Sequence, residues 1–209
     1  MPFLLFDLDG TISDPIEGIG RSINHALESR GYQTHPLADL AKYVGPPLDE
    51  TFKAITGATD DAEISALIAK YRERYAEVGY SENILYPGIE GAVNTLREKG
   101  VPMAVCTSKR QDFADQILRM FGLREKFQFI SGGDVGVWKW QQIEALIAEE
   151  AINRQAVMIG DRAVDLVAAH KNGLNSVGVL WGYGSRAELE SESPRHLLTQ
   201  PSELVMLAG

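Results

Sequence analysis

The chain has 209 residues, 44% of them hydrophobic and 23% charged, which is enough for one sizeable core or for a core carrying a smaller inserted unit. A formal net charge of −9 removes the basic footprint that a nucleic-acid polymer ordinarily requires. One cysteine, Cys106, excludes an internal disulfide and fits a reducing compartment, and the short apolar run before Asp7 has neither the basic flank of a signal peptide nor the length of a membrane span; a cytoplasmic protein without a membrane partner is expected.

The first element in chain order is an apolar run, Pro2 to Phe6, that stops at Asp7-Leu8-Asp9-Gly10-Thr11. Asp14 then reads as an N-cap with Pro15 at the first helical position. Ile16, Ile19, Ile23 and Leu27 mark one helical face, and Gly31 is placed to end the helix. Gly18-Ile19-Gly20 lies inside this helix with no strand immediately before it, so it reads as a hinge or helix-packing site and not as a dinucleotide loop. Lys42-Tyr43-Val44-Gly45-Pro46-Pro47-Leu48 interrupts the helical pattern with a stiff loop. Asp60 with Glu63 resembles a capping box ahead of Ile64, Leu67, Ile68, Tyr71, Tyr75 and Val78 at helical spacing. From about Asp14 to Tyr86 the chain is therefore predicted to be helical and free of strands.

After Tyr86-Pro87-Gly88 the pattern alternates. Helices are predicted over Ile89–Lys99, Gln111–Phe121, Trp140–Glu150 and Ala163–Asn172. Strands are predicted over Val101–Cys106, around Phe127–Ile130, over Ala156–Ile159 and over Ser176–Leu180. Strands alternating with helices imply βαβ units and a parallel sheet, so the fold class is α/β with a Rossmann-like core. Residues 1–14 and 87–209 make that core, and residues 15–86 are a helical insert.

Three of the apolar runs end on polar residues that can handle phosphate. The first ends at Asp7 and Asp9, the second at Thr107-Ser108-Lys109, and the third at Gly160-Asp161, with Asp165 four residues on. In open α/β sheets ligands bind outside the carboxyl ends of the strands, so these clusters can meet in one crevice. Four carboxylates, a hydroxyl pair and a lysine there suggest a hard cation and a phosphate. Gly10 permits a tight turn after the two aspartates. One carboxylate can attack phosphorus, and the second, if protonated, can give its proton to the leaving oxygen and later take one from water. The four histidines lie outside these clusters, and no zinc-type ligand set is present.

Phe6-Asp7-Leu8-Asp9-Gly10-Thr11 resembles the first motif of the haloacid dehalogenase-like (HAD) hydrolase superfamily, and the other clusters follow in the family's order over nearly the whole chain. The resemblance implies that Asp7 is the nucleophile and that Asp9 is the general acid/base, its backbone carbonyl also a metal ligand. It implies that Thr107, with Ser108 behind it, binds the transferring phosphoryl group and that Lys139 neutralises charge there. Asp161 would ligate Mg²⁺ directly, with Asp165 as a ligand or the partner of one. Trp140 follows Lys139 where family members often have proline. Residues 15–86 would be the family's small helical cap, and the loop containing Lys42, Tyr43 and Gly45 would contribute to substrate choice.

Ser13-Asp14-Pro15 and Val44-Gly45-Pro46-Pro47-Leu48 give the chain its likeness to the phosphoglycolate phosphatase branch, which includes 5′-nucleotidases. That branch implies a Mg²⁺-dependent phosphomonoesterase acting on a small phosphorylated metabolite, as a monomer or weak homodimer. Asp9 argues against a dehalogenase, and Gly18-Ile19-Gly20 stands where sugar-phosphate mutases commonly carry a histidine. A pyrophosphatase and a receiver-like switch phosphorylated on aspartate are the further alternatives; a phosphonatase would need a cap lysine, but Lys42 is read as pairing with substrate charge or solvent, and the full motif set argues against a catalytically dead binding protein. The helical insert counts against the receiver. Trp181-Gly182-Tyr183-Gly184-Ser185, after the last strand, is read as packing, and Cys106 as a core thiol.

Overall fold

The computed structural model describes residues 1–133 and 136–209. The chain divides into two compact units, Met1–Asp14 with Leu85–Gly209, and Pro15–Ile84. The elements in order are β1 (Leu4–Phe6), β2 (Ser13–Asp14), α1 (Ile16–Ser29), α2 (Leu37–Leu40), α3 (Leu48–Thr56), α4 (Asp61–Glu77), β3 (Ile84–Leu85), α5 (Ile89–Glu98), β4 (Met103–Cys106), α6 (Gln111–Met120), β5 (Ile130–Ser131), α7 (Lys139–Ala148), β6 (Val157–Gly160), α8 (Ala163–Lys171), β7 (Asn175–Val179), α9 (Arg186–Ser191) and β8 (His196–Leu198).

The first unit is built on a six-stranded sheet of order β5-β4-β1-β6-β7-β8, parallel at every pairing. Its central strands are apolar throughout because helices cover both faces, and β1, β4 and β6 are buried at every position. One core cluster joins Leu5, Ala104, Cys106 and Met158 from the sheet to Ile143, Leu146, Ala168 and Ala169 from α7 and α8. The register sets Phe6 beside Val105 and Ile159, so β1, β4 and β6 end at one level and the residues after them share one edge.

The second unit is helical. α1 packs on α4, and backbones meet where Gly18 faces Gly79: a Cβ on Gly18 would lie 2.0 Å from the Gly79 carbonyl oxygen. Gly18 is thus a helix-packing residue. Arg74 pairs with Glu82 through 2.8 and 3.0 Å hydrogen bonds, and Arg21 adds a third at 3.0 Å.

Several local expectations are corrected. Asp14 lies in β2 and does not cap α1, whose N-cap is Pro15 without a side-chain bond. β2 and β3 form a two-stranded sheet where a strand-free stretch was expected. Asp60 does cap α4, accepting from Ala62 N at 3.3 Å, but Glu63 pairs with Arg30 and does not close the box. The strand expected around Phe127–Ile130 is Ile130–Ser131, because a 3₁₀ turn at Arg124–Lys126 delays it. Among the described residues no helix is long and apolar enough to cross a membrane.

Candidate active site

Asp7 leaves β1 with its N–H donated to the Ile159 carbonyl at 2.9 Å, which extends the β1–β6 ladder by one residue and fixes where the carboxylate stands. Asp161 follows β6 directly, and Asp165 lies in the first turn of α8, where its Oδ2 accepts from Arg162 N at 3.1 Å. Asp7, Asp161 and Asp165 are all buried, and each offers an oxygen within 4.8 Å of the others. Lys139 opens α7, and its buried Nζ stands 2.9 Å from Asp7 Oδ1 and hydrogen-bonds Asp165 Oδ1. Trp140, beside it, packs partly buried against the core, with the Lys171 ammonium 5.2 Å from its ring centroid.

Glycines let the surrounding backbone close on these carboxylates. Gly10 has φ +83° and carries no side chain where a Cβ would be 2.2 Å from Asp161 Oδ2. Thr11 donates to Asp161 Oδ1 at 3.2 Å, and Tyr183 N donates to Asp161 Oδ2 at 2.8 Å. The Tyr183 hydroxyl donates to Asp14 Oδ1, and Trp181 Nε1 donates to the Thr11 carbonyl at 2.9 Å. The Trp181–Gly184 segment, read from sequence as packing, therefore holds one of the acidic groups in place. Two glycines flanking an aromatic residue just past a strand's carboxyl end were the signal for that close approach.

The electrostatics favour a cation. Burial pushes the Asp161 and Asp165 carboxyls above their ordinary range, and neighbouring carboxylates add to the effect. Burial works against the Lys139 charge, but Asp165 and Asp7 outweigh it and hold the ammonium well above its usual pKa. One ammonium faces three carboxylates, so a divalent ion held by oxygen donors fits the arrangement, and the donor set suits a hard cation. Burial also lifts the thiol of Cys106 to about 12, which leaves it inert as a nucleophile.

The remaining sequence-derived residues divide between the two units. Thr107 is buried, and its Oγ1 accepts from Lys109 N at 3.3 Å, while Ser108 is exposed. Asp9 stands outside the acidic triad; its Oδ2 is 2.8 Å from Lys109 Nζ, and burial raises its carboxyl pKa against the opposing pull of that lysine. The partnership of Lys109 with Asp9 and the hold of Gln142 on β4 and β5 were not read from sequence. Gln142 Nε2 donates to the carbonyls of Thr107 and Ser131 at 3.2 and 3.3 Å. Lys42, Tyr43 and Gly45 belong to the helical unit. Lys42 Nζ sits 5.1 Å over the Tyr43 ring, and both residues line a cavity of about 210 Å³ with His35, Asp39 and Ile55.

The sequence model of the haloacid dehalogenase-like hydrolases matches residues 4–179, which span every group just described except the loop beyond β7. The chain belongs to this family. Among its HAD relatives is a 5′-nucleotidase of Pseudomonas aeruginosa, 38% identical over 199 residues, covering 93% of this chain and 90% of that protein. A phosphoglycolate phosphatase of Aquifex aeolicus is 30% identical over 219 residues, covering 99% and 96%. The solved structure of Mycobacterium tuberculosis protein tyrosine kinase A superposes with a TM-score of 0.84 at 33% identity, covering 99% of this chain and 97% of that one. One HAD scaffold thus carries differently named activities at similar identity, and the substrate has to be argued from chemistry.

Proposed function

We propose that this chain is a Mg²⁺-dependent phosphomonoesterase that hydrolyses a small phosphorylated metabolite, of the phosphoglycolate or nucleoside 5′-monophosphate kind, through an aspartyl-phosphate on Asp7. The observation that carries the reading is the buried set of Asp7, Asp161 and Asp165 with Lys139, at the carboxyl ends of β1 and β6 and the amino ends of α7 and α8. The names of the P. aeruginosa and A. aeolicus relatives support the substrate class.

In this reading an oxygen of Asp7 attacks phosphorus, the ester P–O bond breaks, and Asp9 gives its proton to the departing alcohol. Water then attacks the phosphorus of the aspartyl-phosphate, Asp9 takes the water's proton, and the Asp7–phosphorus bond breaks to release phosphate. Thr107, supported by Ser108, and Lys139 hold the phosphoryl oxygens and offset their charge, which is most of what this step asks of a protein. Mg²⁺ held by Asp7, Asp161, Asp165 and the Asp9 carbonyl would supply Lewis-acid stabilisation of the phosphoryl charge. Residues 15–84 serve as the cap, with Lys42, Tyr43 and Gly45 selecting the leaving group, and the protein acts in the cytoplasm.

The test is phosphate release from phosphoglycolate, nucleoside 5′-monophosphates, sugar phosphates and pyrophosphate, with and without Mg²⁺, in wild type and Asp7→Asn. Mg²⁺-dependent release lost in the variant is expected, and the preferred ester identifies the branch. Release that survives in Asp7→Asn would refute the nucleophile.

A further inference from the structure

Lys109 follows Thr107-Ser108, where an exposed lysine could simply enter solvent. It does not: its side chain is only 7% exposed, and its Nζ lies 2.8 Å from Asp9 Oδ2. The backbone on either side is fixed too. Lys109 N donates to Thr107 Oγ1 at 3.3 Å, and its carbonyl accepts from Gly133 N at 2.8 Å. Gly133 in turn packs so closely that a Cβ there would be 2.3 Å from the Ser108 carbonyl oxygen. The lysine is therefore held by three elements: the end of β4, the chain after β5, and the loop after β1.

Burying a lysine is costly unless it is paired, so a fold keeps such a group where a partner has to be held. The partner here is the carboxylate that the reading above uses for proton transfer. Asp9 is engaged through Oδ2, while its other oxygen, Oδ1, is buried and makes no hydrogen bond among the described residues. A carboxylate pinned through one oxygen has lost most of its freedom at χ1 and χ2, so the second oxygen is fixed in place as well.

We propose that Lys109 is a positioning residue, holding Asp9 through Oδ2 so that Oδ1 is the atom that hands the proton to the leaving alcohol and afterwards receives one from water. The proposal rests on the phosphomonoesterase reading and adds to it a residue that acts through Asp9 and not on phosphorus. Proton donation matters in proportion to how poor the leaving group is. An alkoxide needs the proton, whereas 4-nitrophenolate leaves as a stable anion. Loss of Lys109 should therefore be selective for leaving group, which neither a phosphate-holding nor a merely structural lysine would produce.

The experiment compares kcat/KM for an alkyl phosphate, phosphoglycolate, with that for 4-nitrophenyl phosphate in wild type, Lys109→Met and Lys109→Arg. This ratio reports only steps up to P–O cleavage, so the later use of Asp9 does not enter. Positioned general acids contribute about 10²–10⁴-fold, so Lys109→Met should lose roughly 30-fold or more on the alkyl ester beyond its loss on the aryl ester, and Lys109→Arg should recover most of the difference. The double variant Asp9→Asn/Lys109→Met removes both charges of this pair together, so the comparison holds even where Lys109→Met alone does not fold. It should lose no more on the alkyl ester than Asp9→Asn alone, because the two act as one unit. Equal losses on both esters, no loss on either, or additive losses in the double variant would overturn the proposal. A wild type that cleaves neither ester would instead overturn the phosphomonoesterase reading, and this proposal with it.

Discussion

Asp161 shows how tightly a single residue can be enclosed: Thr11 and Tyr183 N–H occupy its two oxygens, and three glycines, Gly10, Gly182 and Gly184, let backbone approach it. At Gly184 a Cβ would be 1.9 Å from the Asp161 carbonyl oxygen, a backbone atom that cannot step aside. Gly184→Ala should therefore cost about 1–3 kcal/mol in urea unfolding, as overpacking does, and lower turnover through the displaced carboxylate. Lys139→Met leaves Asp7 and Asp165 without their ammonium and should cost roughly 3–5 kcal/mol at neutral pH. Unfolding curves of both variants that overlay the wild type would contradict these assignments. Because burial raises Asp161 and Asp165 above the ordinary carboxylate value, the folded protein binds more protons at these groups than the unfolded chain does. Their contribution to stability is complete below that ordinary value and falls as pH rises from about 4 through the raised values. Added Mg²⁺ should accordingly raise Tm more at about pH 7.5 than at about pH 5, where protons already neutralise the site. Equal shifts at both would argue against cation binding by this triad.

Among elements, those legible in the sequence are the ones whose burial is complete. β1, β4 and β6 are apolar runs because helices cover both faces, and the polar residues at their ends stood out for the same reason. β8 was not read: its three residues include His196, and it lies at the edge of the sheet, so no apolar run marks it. β2 and β3 have two residues each, too short for any period to register. Lys109 was visible beside Thr107, but its partner is 100 residues away in sequence, and no local pattern announces a side chain folding back to Asp9. Gln142 is a similar case: it sits on a buried helical face and ties the ends of β4 and β5 together. Gln142→Ala should cost about 1–3 kcal/mol, since both strand-end carbonyls lose a donor, and should loosen Thr107 enough to raise KM for the ester. A KM equal to that of wild type would mean that Thr107 is held without it.

At the scale of the whole molecule, the chain interrupts an α/β core after β2 and resumes it at β3, and the residues between make a compact helical unit of their own. The groups proposed to carry chemistry all fall in the core unit, on loops and helix starts at one edge of its sheet, where a rigid scaffold can hold them at fixed separation. This is why the groups proposed to be catalytic stood out in short runs of sequence, whereas substrate choice did not. The groups assigned to substrate choice lie in the helical unit, whose loop chemistry does not single out one phosphate ester.

The proposed phosphoryl carrier is Asp7, and the measurement that bears on it is to acid-quench the enzyme during turnover, reduce it with borohydride, and examine the peptide that contains residue 7 by mass spectrometry. Borohydride converts an aspartyl-phosphate to homoserine, so homoserine is expected at position 7 only when ester and Mg²⁺ are both present. Phosphate released at full rate from enzyme whose Asp7 is never converted would contradict it.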